Sequence, residues 1–400
     1  MLVPDSKFPS KKQVLSALRG QKRTSLSLVV RWHRLIACTA LLFGNLHACR
    51  RHLEAHVQRY PELQSDLAIL LCCCGDYNPA LVYLPFPDQT QATASFENTA
   101  YWRLRALQGL HRWTQARQLI AKVLPVVDSR RLRLAAAQNA IALGDYTGAT
   151  AHYQQAIKFG APDATLLHDL ARCQQKCGQL SQALENYLAA FRLAPHDPSI
   201  LSNIGLLLAK LGRFGEATFY LQRLLRYTND PAGAMNNLAY CLVAQKRFAE
   251  ALRYYRRALR IAGEDVELLR NTASCLLAMD RPDEARNLLE RALRQAPGDH
   301  EAWRLRAVCL RESDQRACEQ SLNRALSLAP QDPLVLESKA AWLLQQGDAK
   351  RAHAFYTLAL KLVPDDPILL WGQGTCLEGI GETEAALAAF NRSLAARRSG

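Results

Sequence analysis

The sequence predicts an all-α solenoid of antiparallel helix pairs, and three observations predict it. Residues 198–297 read as three lines of thirty-four that align without a gap, with Asn203, Asn237 and Asn271 in one column and Ala217, Ala251 and Ala285 in another. Over the longer stretch from 130 to 400, glycine recurs midway through several such lines and proline near the ends of several. No run of about eighteen apolar residues interrupts the pattern, so no ordinary membrane span is expected. A fixed period of this size marks a chain in which each unit buries its apolar face only against its neighbours.

Units counted from starts near 130, 164, 198, 232, 266, 300, 333 and 367 give each column a physical reason. Each unit holds two helices of about three to four turns, the second beginning near the fifteenth place. Gly144, Gly178, Gly212, Gly347 and Gly381 fill that place, where a left-handed helix cap is unhindered without a Cβ. Ala149, Ala183, Ala217, Ala251, Ala285, Ala352 and Ala386 fill the twentieth, where a small side chain lets two helices approach closely. Large apolar residues follow at the twenty-fourth, among them Tyr153, Tyr187, Leu221 and Tyr255. Pro195, Pro297, Pro330 and Pro364 then stop the second helix.

These columns resemble the tetratricopeptide (TPR) repeat over residues 130–400. The resemblance implies a right-handed superhelix whose first helices line a concave groove. It implies a non-enzymatic adaptor or scaffold that holds an extended peptide of a partner protein, as adaptors of this kind do when they assemble secretion, envelope or signalling machinery in bacteria. A cytoplasmic location goes with that reading. Fold alone does not fix function.

The N-terminal region departs from the pattern. Residues 1–60 carry eleven lysines and arginines against Asp5 and Glu54, and 1–26 reads as a flexible basic tail. Residues 27–129 read as degenerate hairpins, with units starting near 61 and 97 and a polar loop at 88–95. Two readings stand for 31–49. A basic start, an apolar stretch and Leu-His-Ala-Cys resemble a bacterial lipoprotein signal with Cys49 as the acylated residue, which would make the chain a membrane-anchored envelope or secretion assembly factor. Alternatively Gly44 aligns with Gly212 and Cys49 takes the small twentieth place of another helix pair.

The formal charge of +14 and pI near 9.4 suit acidic partners, nucleic acid or a membrane surface, or simply arginine-rich outer helix faces. RNA binding by a helical-repeat array is a further alternative, which the alanine and proline columns disfavour. Of twelve cysteines, Cys173, Cys241, Cys275, Cys309 and Cys376 share the tenth place of their units. Successive units stack about 10 Å apart, too far for disulfides, so these thiols read as small apolar core residues. Neither a metal-ligand set nor a catalytic motif is expected, and no cofactor.

The groove is where a site is expected. Asn203, Asn237 and Asn271 fall at an inward sixth place, where a carboxamide can donate to and accept from an extended peptide backbone; asparagine is also simply common at this place in the family. Arg172, Lys176, Lys210, Arg270 and Arg304 lie at other inward places and favour an acidic segment or a C-terminal carboxylate. Tyr240 and Trp371 point inward too. The family's carboxylate clamp for chaperone tails is incomplete, with His168 and Arg172 in its first two places and Gly233 and Asn237 in place of its final basic pair. Leu387, Phe390 and Leu394 have no following unit in this sequence, so either the last helix hides them or, as this reading expects, a second copy or another partner covers them.

Overall fold

The computed structural model describes residues 46–60, 63–84 and 94–399, with Val30, His33, Ile36 and Ala37. The expected tail at 1–26, most of the 31–49 stretch and most of the expected loop at 88–95 lie outside the described residues. Among the described residues all regular structure is helical. Helices α1 (Leu46–His56), α2 (Gln64–Cys74), α3 (Tyr77–Tyr83), α4 (Ala94–Gly109) and α5 (Trp113–Val123) come first. Hairpins then follow without interruption. They are α6 and α7 (Arg130–Ala142, Tyr146–Ile157), α8 and α9 (Ala164–Lys176, Leu180–Leu193), α10 and α11 (Pro198–Lys210, Phe214–Leu224), and α12 and α13 (Pro231–Ala244, Phe248–Ala262). Beyond them lie α14 and α15 (Val266–Ala278, Pro282–Gln295), α16 and α17 (His300–Leu310, Gln315–Leu328), α18 and α19 (Pro333–Gln345, Ala349–Leu362), and α20 and α21 (Pro367–Ile380, Thr383–Ser399).

The chain forms two compact units, Met1–Pro195 and His196–Gly400. In the second, each hairpin's helices pack along one another, and the second helix also packs on the first helix of the next hairpin. First helices touch first helices from α10 to α20 and so make a continuous face.

Each first helix from α6 onward starts on a side-chain cap. Ser129 and Asp163 serve α6 and α8, and Asp197, Asp230, Asp265, Asp299, Asp332 and Asp366 serve the hairpins of the second unit. Asp265 Oδ1, for example, accepts from the Leu268 N–H at 2.8 Å. Such a cap satisfies an orphan N–H and sets negative charge at the positive end of the helix dipole. Several caps also take a basic side chain from the hairpin before. Arg130 pairs with Asp163 at 3.2 Å, Arg270 with Asp299 at 2.9 Å, and His300 lies 3.4 Å from Asp332.

The turn between paired helices repeats as well. The Arg213 N–H reaches back to the Leu208 carbonyl at 2.9 Å, and Arg247 to Leu242 at 2.9 Å. That closure needs a left-handed residue one place earlier. Gly144, Gly178, Gly212, Gly347 and Gly381 supply it, but His111 (φ 56°), Lys246 (φ 60°) and Asp280 (φ 57°) adopt the same conformation without being glycine. The closing hydrogen bond thus imposes the backbone even where the sequence offers no permissive residue.

The alanine column is fully buried at 149, 183, 217, 251, 285 and 352. The first helix contributes a second small position. At Gly205 a Cβ would stand 2.7 Å from Leu221 Cδ2, and at Gly374 it would stand 2.6 Å from Phe390 Cε1. Small side chains on both helices therefore let the large residue of the second helix lie over the backbone of the first.

Candidate functional site

The continuous first-helix face of the second unit is built from residues three apart on each helix, which share one side. Asn203 and Leu206 share it on α10, and Asn237 and Tyr240 on α12. The two asparagines are half-buried, whereas Leu206 is 42% exposed and Tyr240 is 55% exposed. The Tyr240 ring meets Phe214 edge-on, with centroids 6.4 Å apart. Lys210, one turn beyond Leu206, is exposed.

The third asparagine is tied to the second helix in the row. Asn271 Nδ2 donates to Asn236 Oδ1 at 3.0 Å, and Asn236 Nδ2 donates to Glu267 Oε1 at 3.1 Å. The rung that forms between α12 and α14 thus passes through Asn236, a residue the sequence reading did not single out. Its signal was available, because Asn236 and Asn237 are adjacent and a helix turns only about 100° per residue.

Most of the expected cations are already paired. Arg270 is held by Asp299, Arg304 makes two bonds to Glu301 at 2.8 and 2.6 Å, and Arg172 lies 3.3 Å from Asp169. Arg172 and Lys176 belong to the first unit and the remaining candidates to the second. Trp371 sits 4.7 Å from Phe390, centroid to centroid, on the final hairpin, whose Leu387 and Leu394 are exposed.

The cysteine column lies in the core. Burial pushes the Cys173 thiol up to about 12 and those of Cys241, Cys309 and Cys376 to about 11, so at neutral pH they are protonated and poor nucleophiles. Cys49 is buried on α1 among Leu53, Leu67 and Leu71. No helix of the described residues is long and apolar enough to cross a membrane.

One cluster escaped the sequence reading altogether. His33, His52 and His56 converge in the first unit, with ligand atoms all within 4.8 Å of one another. Half of its signal was legible, since His52 and His56 stand four apart on one helix face.

Comparison with known proteins agrees with this architecture. Family models described as tetratricopeptide repeat match residues 198–231, 242–309 and 342–400, and one described as TPR repeat matches 175–212. Among solved structures, a tetratricopeptide repeat protein from Parabacteroides merdae superposes with a TM-score of 0.57 at 16% identity, covering 63% of this chain and 100% of its own. The C-terminal part of a TPR repeat-containing protein from Cytophaga hutchinsonii gives 0.50 at 16% identity, covering 60% of this chain and 98% of its own. No curated protein matches the sequence. With the columns, the capped hairpins and the matched segments in agreement, the chain belongs to the tetratricopeptide-repeat family.

Proposed function

We propose that the chain is a non-enzymatic adaptor whose second unit holds an extended peptide of a partner protein on the first-helix face of α10, α12 and α14. The observation that carries the reading is the pairing of exposed Leu206 and Tyr240 with carboxamides one turn away, repeated on successive helices. An apolar side chain of the peptide would rest on Leu206 and Tyr240, and its backbone would exchange hydrogen bonds with Asn203, Asn237 and Asn271. Because Arg270 and Arg304 are already neutralised within the fold, Lys210 is the cation best placed to meet a carboxylate, and acidic character in the peptide is secondary. Arg172 and Lys176, in the first unit, are not needed by this reading.

Peptides selected from a displayed random library against the full chain provide the test. Replacing Asn203, Asn237 and Asn271 together by alanine should weaken the selected peptides about tenfold or more while the helical circular dichroism stays unchanged. Unchanged affinity refutes the proposal.

A further inference from the structure

The three converging histidines have no part in the peptide-binding face. His52 and His56 lie one turn apart on α1, the spacing at which two imidazoles on a helix chelate one metal ion. His33, nineteen residues before His52, is 6% exposed and approaches from a separate helical position. Its Nδ1 lies 3.0 Å from His52 Nε2. The ring centroids of His33 are 5.1 Å from His52 and 4.2 Å from His56, and those of His52 and His56 are 4.8 Å apart. Tyr60 closes another side of His33, 5.1 Å away.

Three basic nitrogens in such proximity need a reason. Two adjacent imidazolium ions would repel each other in a partly buried site, so such a cluster favours the neutral form of the rings. Neutral imidazoles each present one lone pair. Metal–nitrogen bonds of about 2.0–2.1 Å in a tetrahedron set ligand nitrogens about 3.4 Å apart. The observed spread brackets that distance, so small side-chain rotations would bring all three nitrogens to one centre. Imidazole donors select zinc and its late-transition neighbours over magnesium or calcium.

We propose that His33, His52 and His56 bind one divalent late-transition-metal ion, zinc being the type case, and so fasten His33 to α1. Three protein ligands leave one position of a tetrahedron for water or an outside donor. Among the described residues this is the group of histidine, cysteine and acidic side chains whose ligand atoms converge in this way. Metal binding at this site would couple directly to the stability of the first unit.

The test uses the untagged full chain, stripped with chelator and titrated with cobalt(II) and then zinc. One equivalent of cobalt should bind with a ligand-field spectrum typical of nitrogen and oxygen donors, zinc should displace it, and zinc should raise the first thermal transition. Replacing His33 by Ala, or His52 and His56 together by Gln, should weaken binding by more than the roughly 10- to 100-fold that loss of an outer-shell partner costs. Replacing His47, exposed on the same helix, by Ala should leave it unchanged. The His52/His56 double variant keeps His33 and the buried apolar side of α1, and its circular dichroism separates lost ligation from lost folding. Failure of the wild-type chain to bind cobalt, equal binding by the variants, or a thiolate-to-cobalt charge-transfer band assigning the metal to cysteine would each overturn the proposal.

Discussion

Helices α2 and α13 solve the same burial problem in opposite ways. Helix α13 buries Ala251, Leu252, Tyr255 and Ala258, a stripe with helical spacing, and leaves a basic outer face of Arg253, Arg256, Arg257 and Arg260. Helix α2 buries all eight residues from Asp66 to Cys73. The stripe suffices where a helix touches only its hairpin partner and the next hairpin. Around α2 the core also takes in Val30, Ala37, Cys49, Leu53, Ala80, Trp102 and Ala106, so side chains meet it from every direction. The lesson is that a repeat shows its period only while one side of each helix stays wet. An enveloped helix loses the polar half of the pattern and reads as an undifferentiated apolar run.

The largest effect expected from this contrast is alkaline. The folded-state thiols are raised, to about 12 for Cys72, Cys73 and Cys173 and about 11 for Cys241, Cys309 and Cys376, against 9.0 when solvated. Stability from keeping them protonated is fully present below pH 9.0 and is lost as pH rises through about 11 to 12. Alkylation during that loss distinguishes the regions. Cys72 and Cys73 should react together, because exposing either unpacks the whole of α2, whereas the column thiols should react hairpin by hairpin. Early labelling of Cys72 with Cys73 still protected breaks the comparison.

Next comes an aspartate scan. Introducing Asp at any position from Leu67 to Cys73 should cost about 3–5 kcal/mol, since an unpaired charge would be buried on every side. The same scan over 251–258 should be periodic, with a change within about 0.5 kcal/mol at exposed Arg257. Denaturant unfolding of each variant reads the pattern, and periodicity in α2 contradicts its enveloped packing.

Overpacking should cost less. Ala251→Trp should destabilise by ~1–3 kcal/mol, because Ala251 is fully buried where α12 and α13 meet. A neutral outcome would show that the interface between the paired helices is loose. The smallest effect is a gain. Lys246→Gly relieves a left-handed residue and should stabilise by about 1 kcal/mol, measured as a shift in denaturant midpoint with the slope unchanged.

The fold class was legible because the columns at 144–386 report backbone demands that only certain residue types meet. Left-handed turns at Lys246 and Asp280 were not legible, since a hydrogen bond to the preceding helix, and not the residue there, sets the conformation. On the candidate face, the exposure of Tyr240 followed from its place in the repeat. The neutralisation of Arg270 did not, because Asp299 lies twenty-nine residues on and reaches it only across the hairpin stack. The meeting of His33 with His52 escaped for the same reason, spanning nineteen residues through a stretch with no repeat to set its phase.

Asp299 has one more implication. The same carboxylate that starts α16 also receives Arg270 from α14, so two neighbouring hairpins share a single fastening. Fraying at the start of one loosens the grip on the other, and strain introduced at either is felt by both. Loss of structure along this stretch of chain would therefore advance in steps of two hairpins.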